Sequence, residues 1–378
     1  MRMGAAAPPL QRSPSGNVVT SQRPAALKRN TQKAHAPRGV GMLRKAVAYA
    51  LTVALTVATV SYAVLAQPRS RVDTVRARGK LVCGVSGTTP GFSFPDPVSG
   101  RLVGFDADFC WAVASFLDVP DVEFVNLTSA SRIPAVVSGS VDVVFRTTTQ
   151  TISRDDQVDF GPVTFYDGQR LMVRADSRIS GLDDLNGARI CVFTGTTSER
   201  NITDQMRLRN FRFQQITFAE AKQAFDGLAA GRCDVFTTDA SQLTAFRATA
   251  PNPADFKIVG REFSDEPLAP MFQENDSKWA DVVAYTVWGM ILAEELGITQ
   301  AVVRDPAQLA EATAKDPNAK NLMELKGGAI QRVLRLVGNY GEVYDRYFGP
   351  RQKTAISRPG TRNDLAKRGG AQTSRPFR

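Results

Sequence analysis

The chain has 378 residues, 43% of them hydrophobic, and a formal net charge of +10 from 47 Lys and Arg against 37 Asp and Glu, which suits two packed domains of ordinary size. The basic excess sits at the ends. Residues 1–45 hold nine Lys or Arg and no acid, residues 351–378 hold eight against one Asp, and the stretch between comes out at about −6, so no basic face supports a nucleic-acid role.

Residues 1–41 read as a disordered basic leader or a misassigned start, with Met42 as the alternative first residue. From 42 to 66 the pattern is that of a secretory signal peptide: the basic pair Arg44 and Lys45, an uncharged run from 46 to 66, and small residues at Val64 and Ala66. A retained anchor is the competing reading, since ~20 apolar residues can span a bilayer. The Ala/Thr-rich run is only weakly hydrophobic, which favours cleavage near Gln67 and export to the periplasm. All four cysteines lie beyond that point, and an even number in an oxidising compartment suggests two bridges, with three pairings open.

The exported part repeats itself. Leu81-Val82-Cys83-Gly84-Val85 followed by Gly87-Thr88-Thr89 echoes Ile190-Cys191-Val192-Phe193 followed by Gly195-Thr196-Thr197. Later, Val141-Asp142-Val143 echoes Cys233-Asp234-Val235. The first lobe is predicted to have strands at 80–85, 122–127 and 141–145 and a crossover helix at 106–117, where Phe105, Phe109, Ala112, Val113 and Phe116 fall at helical spacing. The second is predicted to have strands at 171–174, 188–193, 213–217, 234–237 and 256–259, with helices at 197–209, 219–230 and 240–250. Helical patterns at 279–296 and 330–337 return to the first lobe. The expected domains are therefore lobe one at 76–168 plus 270–349 and lobe two at 169–269, with crossings near 168–172 and 263–270 forming a hinge. Residues 350–378, rich in Arg, Pro, Ser and Gly, are expected to be a disordered tail. A bridge between lobes would lock such a hinge, so Cys83 is paired with Cys110 and Cys191 with Cys233.

Catalytic constellations are scarce. The only histidine, His35, lies in the leader, which removes Ser/His/Asp and Cys/His arrangements from the exported part. Neither zinc-ligand spacing nor a Walker or dinucleotide fingerprint occurs, so no metal or cofactor is expected. What remains are polar loops at strand ends, where open parallel sheets bind ligands. Residues 146–154 offer Arg146, Thr147, Thr149 and Arg154 as donors for a carboxylate. Residues 194–199 place Thr196 and Thr197 at a helix start, a place for an anion or a plain N-cap. Asp239 ends the third loop and could meet an ammonium group or cap the next helix.

These segments, taken in order, resemble a family. Gly104-Phe105-Asp106, Val141-Asp142-Val143, the Thr-rich turn with Ser153-Arg154, Val158-Asp159-Phe160-Gly161-Pro162 and Arg232-Cys233-Asp234-Val235-Phe236-Thr237-Thr238-Asp239 look like the amino-acid-binding proteins of ABC importers. Ala293-Glu294-Glu295-Leu296-Gly297 and Gly338-Asn339-Tyr340-Gly341-Glu342 are similar to the general L-amino-acid-binding branch. The resemblance runs from about Leu81 to Gly349. It implies an α/β, two-lobed periplasmic-binding-protein type II fold with a double-crossover hinge, and the same two disulfides. It also implies a monomer that binds free L-amino acids and passes them to an inner-membrane ABC permease. On that likeness Arg154 holds the ligand α-carboxylate, Thr147, Thr149 and Thr197 assist, and Asp239 takes the α-ammonium. Thr89 and Ser129 stand where some relatives place aromatic rings, which implies breadth toward side chains, while Arg146 replaces a small hydroxyl residue. The alternative is a periplasmic dehydratase-like enzyme on the same fold, which would need a general acid in the cleft.

Overall fold

The computed structural model describes residues 45–53 and 70–377. The leader at 1–41 and the signal-peptide boundary around 64–67 lie outside the described residues. Residues 45–53 are helical and belong to a unit separate from the remainder, which begins at Pro68.

That remainder opens with α1 (Arg71–Arg78), capped by Ser70 and closed by Gly79 in the left-handed conformation. It leads into β1 (Lys80–Val85), α2 (Phe105–Phe116), β2 (Asp121–Asn126), α3 (Arg132–Val137), β3 (Val143–Val144), the short α4 (Ile152–Asp155) and β4 (Asp159–Phe160). The connecting strand β5 (Phe165–Asp167) runs on to β6 (Gln169–Arg174), β7 (Arg189–Phe193), α5 (Thr197–Leu208), β8 (Gln214–Phe218), α6 (Ala221–Ala229), β9 (Val235–Asp239), α7 (Ala240–Thr249) and β10 (Phe256–Val259). A second connecting strand, β11 (Glu266–Leu268), returns the chain to β12 (Met271–Phe272). Helix α8 (Ser277–Glu295) follows, and after several shorter helices α9 (Tyr340–Phe348).

Two five-stranded sheets result, in the orders β2-β1-β3-β12-β4 and β8-β7-β9-β6-β10. In each, the first three strands are parallel, the fourth runs against them, and the fifth, antiparallel to the fourth, runs with the first three. Each central strand is buried along nearly its whole length because helices cover both faces. The sheets are joined by β5 and β11, which pair antiparallel as Phe165 with Leu268 and Asp167 with Glu266. These crossings fall at 165–167 and 266–268.

Each disulfide stays with one sheet, Cys83 to Cys110 linking β1 to α2 and Cys191 to Cys233 linking β7 to the turn before β9. Closing loops of 27 and 42 residues removes unfolded-state entropy worth about 4 kcal/mol each in the chain-entropy account.

The first sheet packs on a ring-rich core. Phe92, Phe105, Phe109, Phe165, Tyr340, Tyr344 and Phe348 are all buried, and the Phe165 ring on the connecting strand stacks on Tyr344 at 5.8 Å. Asn339 and Glu342 form a capping box that starts α9 and aims Tyr340 and Tyr344 inward.

The C-terminal residues differ from the expected disordered tail. Residues 350–377 fold back over the first sheet's helices and one edge of the connecting ribbon. Arg358 lies 5.1 Å from the ring centres of both Tyr340 and Tyr344 and pairs with Glu294 at 3.0 Å. The Asn363 amide accepts from the Tyr166 N–H at 2.7 Å and donates to the Tyr166 carbonyl at 2.8 Å. Leu365 and Phe377 are buried, and Arg375 stacks over Trp288. Composition alone suggested disorder because few residues are apolar. The ordering entropy is instead offset by arginines matched to buried carboxylates and aromatic faces.

Candidate functional site

The carboxyl ends of β1, β3, β7 and β9 converge where the two sheets face each other, because each parallel strand must hand its chain to a helix at that edge. The internal echo shapes both walls. Asp142, just before β3, accepts the Val82 N–H at 2.7 Å, and Asp234, just before β9, accepts the Arg189 N–H at 2.8 Å. Counting on from these paired anchors, Thr147 and Asp239 occupy equivalent places at the cleft. Gln242 of α7 bridges them, donating to Thr147 Oγ1 at 3.2 Å and to Asp239 Oδ2 at 3.0 Å.

Ser129, Arg132, Arg146, Thr147, Thr149, Thr196, Thr197, Thr238, Asp239 and Gln242 surround one narrow cavity, about 10 Å³ measured at the centre of a water molecule. That is room for about one water, so the two walls stand closed. Gly195 allows the approach. Its φ is +82°, and a side chain there would begin 2.9 Å from the Ala130 backbone on the opposite wall.

Six of the seven residues singled out from the sequence line this cavity; Arg154 does not. Its guanidinium donates to the Thr149 carbonyl at 2.7 Å and, across the cleft, to the Gly195 carbonyl at 3.3 Å. It borders a neighbouring depression that also holds Arg200. Burial lowers its pKa to about 10, with Glu266 opposing the shift and Arg200 adding to it. Arg146 is buried and spoken for: Nε donates to the Leu127 carbonyl, Nη1 to Ser129 Oγ, both at 2.6 Å, and Nη2 reaches Glu220 of the other wall at 3.3 Å. Thr196 caps α5, accepting from the Glu199 N–H. Thr149 and Thr197 both donate to Glu266 Oε2, at 2.5 and 2.8 Å.

Four residues escaped sequence reasoning. Arg132 opens α3 and is 2% exposed; its Nη1 donates to the Arg146 carbonyl at 3.2 Å, while its Nε is buried without a partner. Burial lowers its pKa well below the ordinary value, and Arg154 and Arg146 push it further. An arginine directly before the apolar Ile133-Pro134-Ala135-Val136 stretch was the signal available. Asp106 sits under the loop, accepting the Thr147 N–H at 3.2 Å, and burial raises its pKa to about 7. Glu266 and Gln242 gave no local signal, since only the crossing of the chain brings them here. On the acidic wall, burial first, then Asp167 and Glu266, raise the Asp239 pKa well above the usual carboxylate range.

The site therefore sets three guanidinium groups on one wall against a buried aspartate on the other. Among the described residues no cluster of His, Cys, Asp and Glu suited to a metal ion occurs.

Residues 81–350 match the family described as bacterial extracellular solute-binding proteins, family 3. The chain is 38% identical over 323 residues to the glutamate/glutamine/aspartate/asparagine-binding protein BztA of Rhodobacter capsulatus, covering 82% of this chain and 94% of that one. It is 37% identical over 339 residues to the general L-amino acid-binding periplasmic protein AapJ of Rhizobium johnstonii, covering 87% and 98%. Among solved structures, a periplasmic binding protein from Brucella ovis with glutathione bound superposes with a TM-score of 0.76 at 35% identity, over 82% of this chain and all of that one.

Proposed function

The chain belongs to the bacterial extracellular solute-binding proteins of family 3, and from that premise we propose that its cleft holds a free L-amino acid by both ends, with preference for acidic side chains and their amides. It is the solute-binding component of an amino-acid ABC transporter. In this reading the protein works in the periplasm and hands its cargo to an inner-membrane permease.

The observation that carries the reading is opposed charge across one cavity: Arg132 with a buried, unpartnered Nε on one wall and the buried Asp239 carboxyl on the other. A zwitterion satisfies both at once. Asp239 takes the α-ammonium, and Arg154 takes the α-carboxylate once its bond to the Gly195 carbonyl is released by opening. Arg132 then meets the carboxylate or carboxamide of the ligand side chain. Buried like charges repel, so an anionic ligand relieves the crowding of Arg132, Arg146 and Arg154. The walls must part to admit any amino acid, and the hinge for that movement is the pair β5 and β11. Closure then follows because only the closed form offers both sets of contacts.

Titration calorimetry with a panel of amino acids tests this. Asp239→Ala and Arg154→Ala should each weaken binding by about 2 to 5 kcal/mol, part of it from stranding the opposite charge. Arg132→Ala should weaken glutamate and aspartate more than alanine. Unchanged affinity in both Asp239→Ala and Arg154→Ala refutes the assignment. Recovery of intact ligand after incubation separates carriage from dehydratase-like turnover.

A further inference from the structure

Glu266 begins the second connecting strand, is 1% exposed, and has four hydrogen-bond partners that all donate. Oε2 accepts from Thr149 Oγ1 of the first wall at 2.5 Å and from Thr197 Oγ1 of the second at 2.8 Å. Oε1 accepts from Asn201 Nδ2 at 2.8 Å and from Ser264 Oγ at 2.6 Å. Four donors and no acceptor suit an ionised carboxylate, which only accepts. The two hydroxyl oxygens also lie 3.3 Å from each other, but each hydroxyl has a single proton and the shorter approaches to the Glu266 carboxylate take both.

The geometry points to Glu266 as the positioning residue of the cleft: it ties both walls to the connecting strand, and it turns the Thr149 and Thr197 hydroxyls so that they present only lone pairs. Two consequences follow. Opening must break at least one charge-assisted bond at the base of the cleft, so Glu266 biases the molecule toward the closed form. The two hydroxyl oxygens also accept from a ligand N–H and cannot donate to its carboxylate. This reverses the part that the Thr-rich turn suggests in the sequence and leaves the ligand carboxylates to the arginines. The inference deepens the amino-acid reading and rests on it for the ligand arm alone.

The test uses the full exported chain carrying distance labels at Val98 and Leu208, both well exposed. Glu266→Gln keeps the shape but places an amide donor against the hydroxyls. Without ligand, the interlobe distance distribution should shift toward the open form. With ligand, release should be about tenfold faster while association stays within about twofold. The preference for an L-amino acid over its 2-oxo analogue should fall by about tenfold, because a freed hydroxyl proton can then serve an acceptor. Thr197→Val should add little to Glu266→Gln, since both remove one shared bond. An unchanged distance distribution and an unchanged amino-acid to 2-oxo ratio overturn the proposal, as does full additivity of the two substitutions. Where Glu266→Gln lowers the amount of folded protein, the single variants Thr149→Val and Thr197→Val make the same measurement with Glu266 in place. A wild-type protein that binds no amino acid would sink the ligand reading, while the ligand-free distances still decide the role of Glu266.

Discussion

The two sheets are built on one plan and end in opposite chemistry. Both place a cysteine-bearing central strand beside a strand that follows an aspartate, and Asp142 and Asp234 make the same bond to the neighbouring backbone. Past that anchor they part. The first wall continues into Arg146 and Thr147, backed by Arg132 and Arg154, whereas the second continues into Thr238 and Asp239. Beyond the aspartate anchors the residues that could meet a ligand are ones that differ, while the repeated Gly-Thr-Thr turn serves both ends, since Thr196 and Thr197 also line the cavity. A break in the internal echo therefore marks where the two walls take opposite chemistry.

The comparison is broken most severely by cutting a scaffold link. Replacing Cys191 and Cys233 together by Ser should cost roughly 2 to 4 kcal/mol of stability, read as a lower denaturant midpoint. The corresponding change at Cys83 and Cys110 should cost a similar amount if the two halves are equivalent. A smaller effect is expected at the wall contact. Gly195→Ala forces a side chain toward the Ala130 backbone at a positive φ, so ligand affinity should fall about tenfold while the two sheets keep their cores. Affinity unchanged in that variant would mean the walls close less tightly than the structure has them.

Charge on the second wall also makes a pH prediction. Burial holds Asp239 protonated above the usual range, and an ammonium group beside it would favour the ionised form. Binding then releases a proton, so affinity should rise with pH through the Asp239 titration and lose that dependence in Asp239→Asn. Stability runs the other way. Asp106 and Asp167 have pKa values raised to about 7 by burial from a reference of 3.8. Between those limits the folded state keeps protons that the unfolded chain has lost, so stability should decline as pH rises from about 4 to about 7. Melting temperature against pH checks this, and Asp106→Asn should flatten part of the slope.

The smallest effect is expected where the two regions differ by an addition. Residues 350–377 brace only the first sheet and the connecting ribbon, so ending the chain after Gly349 should lower the melting temperature modestly by uncovering Tyr340 and Tyr344. Equal melting in both forms would show that the segment adds no net stability.

Much of this was legible locally. Alternating apolar strands and helices, the echo around Cys83 and Cys191, and the polar loops at 146–154, 194–199 and 237–239 are sequence-near patterns, and six of the seven residues drawn from those loops line the cavity. Arg154 was read as a ligand contact from its turn, but its closed-state partners are carbonyls, one of them on the other wall. The C-terminal segment departs from the expectation because composition counts apolar residues and does not register that Arg358 meets Glu294 or that Asn363 meets Tyr166.

What the sequence determined by itself is the plan: periodicity and turn residues specify strands and helices within a few residues of one another, so two similar α/β halves follow from short-range rules. Only the tertiary structure decided the site's polarity. Glu266 meets Thr149 and Thr197 from 117 and 69 positions away, and Arg132 becomes a buried, half-satisfied cation only when both sheets cover it. Burial and hydrogen-bond satisfaction depend on what long-range folding brings near a group, and no local pattern contains that information.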